Sequence, residues 1–125
     1  MRQVQDRLSV ATRRQGNHDI TREIATWVEA QGVATGLLTV LLQHVSAHLA
    51  LQEHADRDDL NTFFRRLEIH SHQDFGEFSS AVTSISLTIP IAEGRLGIGT
   101  GQRIYLYEHR ESAQTRSLLL HLIGE

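Results

Sequence analysis

Ile85, Leu87, Ile89 and Ile91 alternate with Ser86, Thr88 and Pro90. A period of two puts neighbouring side chains on opposite faces of an extended chain, so this stretch can bury its apolar residues only as a sheet strand. The pattern persists towards the C-terminus. Leu96 and Ile98 alternate with Gly97 and Gly99, Ile104 and Leu106 with Tyr105 and Tyr107, and Ser117–Ile123 reads as a final, largely buried strand. Glu93-Gly94 marks a hairpin turn. Pro90 points to a strand edge or end, because proline donates no ladder bond. The polar residues His109–Gln114 form a turn before the last strand.

The first half mixes periods. Val4–Thr12 alternates weakly and reads as a first strand, and the polar Arg13–His18, with Gly16 and Asn17, as a turn. Ile20, Ile24, Trp27 and Val28 then form one helical stripe. Asp19 or Thr21 can cap its first free N–H groups, and Gly32 can end it. Gly36–Leu42 is apolar with the strand formers Thr39 and Val40. His44–Gln52 continues as a second strand or a bulged extension. A second helix is expected from the acidic start Asp56, Asp58 and Asp59, with Leu60, Phe63, Phe64 and Leu67 as its stripe. Glu68–Phe78 is a polar loop, and a short helical turn follows near Ser79–Thr83. Strands outnumber the two main helices, which is an α+β architecture. The 125 residues are enough for a single domain, 1–125.

Composition narrows the chemistry. The absence of cysteine removes disulfides, thiolate metal sites and a cysteine nucleophile. A formal net charge of -3 gives no general reason to expect nucleic-acid or membrane binding. Arg13-Arg14 and Arg65-Arg66 read as solvated surface. The apolar runs fall far short of a membrane span, and the first residues lack the apolar core of a signal peptide. A cytoplasmic protein is the expectation.

Polar candidates gather at Gln43–His54. If the segment is a strand, His44, Ser46 and His48 share one face. His44 and His48 would stand roughly 13 Å apart, too far to share one ion at metal–nitrogen distances of about 2.0–2.1 Å. His44 and Ser46, about 7 Å apart, can flank a phosphate or carboxylate or shuttle a proton. An exposed polar face or a subunit interface would use the same residues. Glu53 can ligate a hard cation or act as a base, and with Asp56 and Asp58 it offers oxygen ligands for Mg²⁺. Asp56 as a helix cap, with Asp58 and Asp59 complementing the dipole, is the competing account. His70 and His72 can close over the site or complete a metal site. The glycine-rich Gly97–Gln102 lacks a phosphate-loop Lys-Ser/Thr. His18, His109 and His121 have no clustered partners in sequence and read as structural or surface residues.

The order of these segments resembles the YjbQ-type family, also called secondary thiamine-phosphate synthase. The resemblance rests on Leu38–Glu53 with its His-x-Ser-Ala…Glu pattern, and on the acidic start at Asp56–Asp59. It also rests on Ser86–Pro90, Gly94-Arg95-Leu96, Gly99-Thr100, Gln102–Tyr105 and Ile123-Gly124-Glu125. The resemblance implies a large mixed β-sheet or sandwich, a homotrimer and a polar pocket near a subunit interface. It implies a weak thiamine-phosphate-synthase-like transferase acting on phosphorylated precursors. His44, Ser46 and Glu53 would be the catalytic residues. Glu53, Asp56, His70 and His72 would be the ligands of a divalent metal, Mg²⁺ or Zn²⁺. The sequence departs from the family pattern at Val45, Gln52, Arg57, Glu77 and Gly101. Those departures point to the alternative of a non-catalytic ligand- or metal-binding trimer with a degenerate site.

Overall fold

A computed structural model describes residues 1–53 and 85–125. Within them the chain runs β1 (Arg2–Thr12), β2 (Gly16–Asp19), α1 (Thr21–Ala30), β3 (Gly36–Leu42), β4 (Ala47–Glu53), β5 (Ser86–Ala92), β6 (Arg95–Leu96), β7 (Gln102–Glu108) and β8 (Gln114–Gly124). The strands form two sheets, a five-stranded one ordered β1-β8-β3-β5-β6 and a three-stranded one ordered β2-β7-β4. Among the described residues every pairing is antiparallel, so the expected sheet or sandwich is found as two sheets without the mixed strand directions. The second expected helix, the 68–78 loop and the 79–83 turn lie outside the described residues.

One apolar core binds the two sheets to the helix. Leu38, Val40 and Leu42 of β3, Ile89 and Ile91 of β5, and Leu118, Leu120 and Leu122 of β8 meet Leu49, Ile104 and Leu106 of the smaller sheet. Ile20, at the N-cap of the helix, and Ile24 and Val28 within it join the core, and Trp27 of the same expected stripe packs against it partly buried. Asp19 stands just before α1, and its Oδ1 accepts from the Thr21 N–H at 3.0 Å and the Thr21 hydroxyl at 2.7 Å. Those bonds satisfy one of the amides that a helix start leaves open. Gly32 ends the helix at φ 68.

The hairpin turn falls where expected. Glu93 and Gly94 both take positive φ, 54 and 79, which matches the twist between β5 and β6. Pro90 lies inside β5 rather than at its end. Its carbonyl accepts from Gly97 N–H at 2.7 Å, on the side away from β3, so its missing N–H costs the β3 ladder nothing.

Two expectations fail for one reason. Gly16–Asp19 has turn composition, yet it is strand β2, because its backbone pairs with Glu108–Tyr105 of β7. The second strand or bulged extension expected over His44–Gln52 begins only at Ala47. Residues 43–46 instead carry the chain from the larger sheet to the smaller one. His44, Ser46 and His48 therefore do not share a strand face.

Candidate functional site

Three passages between the sheets meet at one corner. Residues 13–15 join β1 to β2, 43–46 join β3 to β4, and 109–113 join β7 to β8. Chain that leaves a ladder needs other partners for its amides and carbonyls, and here side chains supply several. His44 Nε2 accepts from the Ser117 N–H at 3.0 Å. Gln15 Nε2 donates to the His109 carbonyl at 3.0 Å, and the His109 N–H donates to the Ser46 carbonyl at 3.2 Å.

A buried ion pair lies at the centre of this corner. Glu108, the last residue of β7, is 0% exposed, and Arg116, early in β8, is 4% exposed. Arg116 Nε donates to Glu108 Oε1 at 2.7 Å and its Nη2 to Oε2 at 2.5 Å. The buried Thr12 hydroxyl donates to Oε1 at 2.5 Å, and the Arg110 N–H to Oε2 at 3.1 Å. Burial pushes the Glu108 carboxyl up, but these donors outweigh it and hold it below its ordinary value.

Ser46 links this pair to the surface. Its hydroxyl oxygen accepts from Arg116 Nη2 at 2.9 Å and from Arg110 Nε at 3.2 Å. Arg110 is exposed. Glu108 receives the Arg116 side chain but only the backbone of Arg110.

On the other face of the smaller sheet, His48 pairs across the ladder with Tyr107. His109, two residues beyond Tyr107, brings its Nε2 to 2.6 Å from His48 Nδ1. The two rings meet edge on, with centroids 4.7 Å apart, and the Tyr107 ring lies 4.8 Å from that of His109. Burial lowers both imidazoles. The His109 value falls to about 3, with the His48 charge as a second cause. Sequence reading left His109 without a partner, because 61 residues separate it from His48.

The sequence-based candidates are thus only partly drawn together. Ser46 is at the corner with two arginines, and His44 is beside it through Ser117. The backbone of Glu53 ends β4 opposite Gln102. Asp56, His70, His72 and Glu77 lie outside the described residues. Among the described residues, no three His, Cys, Asp or Glu side chains gather as a metal set. Thr12, Glu108, Arg110 and Arg116 were not anticipated. The charged pattern Glu108…Arg110…Arg116 around the last turn was the one available signal. A separate cleft of about 450 Å³ lies between β1, β2 and α1, where Arg14, His18, Asp19 and Glu23 face it. Among the described residues, no helix is long and apolar enough to cross a membrane.

Comparison with known proteins matches residues 6–125 to the family described as UPF0047 protein YjbQ-like. The chain is 39% identical over 138 residues to UPF0047 protein sll1880 of Synechocystis sp., covering 99% of this chain and 94% of that protein. It is 34% identical over 135 residues to UPF0047 protein YjbQ of Escherichia coli O157:H7, covering 97% and 98%. A crystal structure of a YbjQ-like protein of unknown function from Sulfolobus solfataricus P2 superposes with a TM-score of 0.85 at 24% identity, covering 99% of each chain. The family model spans nearly the whole chain and the two sequence relatives cover 99% and 97% of it, so this protein belongs to the YjbQ-like UPF0047 family.

Proposed function

We propose that this chain binds a small phosphorylated molecule at the corner formed by Ser46 and Arg110, and does so as a homotrimer. One observation carries the reading: two guanidinium groups converge on the Ser46 hydroxyl, and Glu108 neutralises only one of them. A phosphate oxygen that replaces the hydroxyl as the Arg110 acceptor exchanges a neutral partner for a charged, forked one. The fixed Arg116–Glu108 fork holds Ser46 in place from the inside. The trimer rests on the family resemblance, and sedimentation should give three times the 14.1 kDa chain mass.

A second reading adds catalysis to the same site. The Ser46 corner suits a pyrophosphate group, and thiamine-phosphate-synthase-like transfer expels one. In that reaction the nitrogen of the thiazole phosphate attacks the pyrimidine methylene carbon, and the carbon–oxygen bond to pyrophosphate breaks. Ser46 would contact the phosphate, while His44 and Glu53 would handle protons or charge. His44 would have to release the Ser117 N–H to do so. Glu53, Asp56, His70 and His72 would hold the divalent ion, which neutralises charge on a leaving pyrophosphate.

Calorimetric titration with inorganic pyrophosphate, on wild type and Arg110→Gln, tests the binding reading. Saturable binding weakened tenfold or more by the substitution supports it, and equal heats in both proteins refute it. Complementation of a thiamine auxotroph tests the catalytic reading. Rescue by wild type but not by His44→Ala supports the role of His44, and equal rescue by both removes it.

A further inference from the structure

Two outermost strands border the cleft between β1, β2 and α1. Among the described residues β1 ends the larger sheet and β2 the smaller, and β1 pairs with β8 alone. Among the described residues no backbone bond reaches the second side of β1. The cleft is lined by the consecutive residues Ser9, Val10 and Ala11. Consecutive strand side chains point to opposite faces, so a cavity that touches all three runs along the edge of the strand rather than over a face. Arg2, Asp6 and Arg7 charge the first half of β1, a guard against stray pairing, whereas Leu8–Thr12 carries no charge. The open backbone and the cleft thus coincide on the uncharged half of the strand.

We infer that this edge takes the C-terminal segment of an extended partner peptide as an added strand, with the peptide's terminal carboxylate on Arg14. An unpaired edge presents N–H and C=O groups at the repeat that another strand matches. Three extended residues span roughly 10 Å, the length that Ser9–Ala11 offers. The cleft volume of about 450 Å³ lies within the range of ligand pockets, roughly 300–1,000 Å³. Arg14 lines the same cleft, and its guanidinium makes no hydrogen bond or ion pair among the described residues. A terminal carboxylate gives it a forked, charged partner. Asp19 does not compete for it, because the Asp19 oxygens are held by Thr21 and Arg103. Arg14 lies past the C-terminal end of β1, so the guest runs parallel to β1. His18 Nε2 donates to the Arg14 carbonyl at 2.9 Å, which fixes the turn at that end. Glu23, also in the cleft, favours a basic side chain upstream of the carboxylate. This chain's own C-terminus is not the guest, since the Glu125 backbone oxygen accepts from the N–H groups of Ala34 and Thr35.

The test uses the full chain and, as probe, a fluorescein-labelled Lys-Thr-Val-Thr-Val peptide with a free C-terminal carboxylate, followed by fluorescence anisotropy. Binding should saturate, and the same peptide with a C-terminal amide should bind about tenfold more weakly. Arg14→Gln should remove that preference for the acid while leaving pyrophosphate binding at the Ser46 corner unchanged. Methylating the peptide's backbone nitrogens one at a time should cost most at alternate residues, the mark of a strand ladder. Hydrogen exchange of the wild type gives a readout that needs no variant, because the peptide should protect amides within Leu8–Thr12. No saturable binding, equal binding of acid and amide, or protection confined to other segments would each overturn the assignment. None of those results bears on the pyrophosphate titration, so the two readings fail separately.

Discussion

Glu108 receives both Nε and Nη2 of Arg116 in the interior of the corner, where the two residues are 0% and 4% exposed. Removing one partner strands the other charge away from water. Glu108→Gln should therefore cost about 3–5 kcal/mol in urea-induced unfolding. Replacing both, as Glu108→Leu with Arg116→Met, should cost less than the single change, because no unpaired charge remains. A double variant no better than the single one would show that Thr12 and Ser46 carry the corner instead.

Acid should destabilise the metal-free protein in two steps. His109 has a folded value near 3, below its ordinary 6.5, so the unfolded chain binds its proton first. The stability held at neutral pH is then lost as pH falls below 6.5, progressively down to the folded value. Glu108 is also lowered in the fold, and its contribution is lost below its ordinary 4.5. Thermal melts in chelator should show the midpoint falling from pH 7 to pH 4. His109→Gln should reduce the slope above pH 4.5, where the lowered His48 still contributes, and leave the steeper acid limb.

Asp19 serves two elements at once. Its Oδ1 accepts from the N–H of Thr21, the first residue of α1, although the N-cap position itself is Ile20, and its Oδ2 accepts from Arg103 Nε of β7 at 2.8 Å. Asp19→Ala should cost about 0.5–1.5 kcal/mol, the range for a lost hydrogen bond at the helix start. Asp19→Asn should recover most of that loss, since an amide oxygen still accepts from Thr21 and the exposed ion pair contributes little. Chemical denaturation of the two variants distinguishes the Thr21 hydrogen bonds from the charge.

Glu93 is a non-glycine residue at φ 54 in the β5–β6 turn. Glu93→Asn creates the Asn-Gly pair this turn favours and should stabilise the protein by less than about 1 kcal/mol. A drop in melting temperature would contradict the turn geometry.

These cases mark where sequence was legible. The helix stripe Ile20, Ile24 and Val28, the bounds of β3 and the Glu93-Gly94 turn are local patterns, and local patterns survive into the fold. β2 was hidden because Gly-Asn-His-Asp has the composition of a turn, and only pairing with β7 makes it a strand. The site was harder still. Its contacts join Thr12 to Glu108, Ser46 to Arg116 and His48 to His109, and all three are consequences of how the chain passes between sheets. No periodicity encodes those meetings. Ser46 was found from its motif, but its arginine partners were not.

The most direct test of the phosphate-binding account is the Arg110 Nε–H resonance, followed by NMR as inorganic pyrophosphate is added to the wild-type protein. The account predicts a saturable shift of that resonance, with the Ser46 amide moving in step, and no comparable shift in sodium chloride of equal ionic strength. A pyrophosphate response no larger than the chloride response would contradict it.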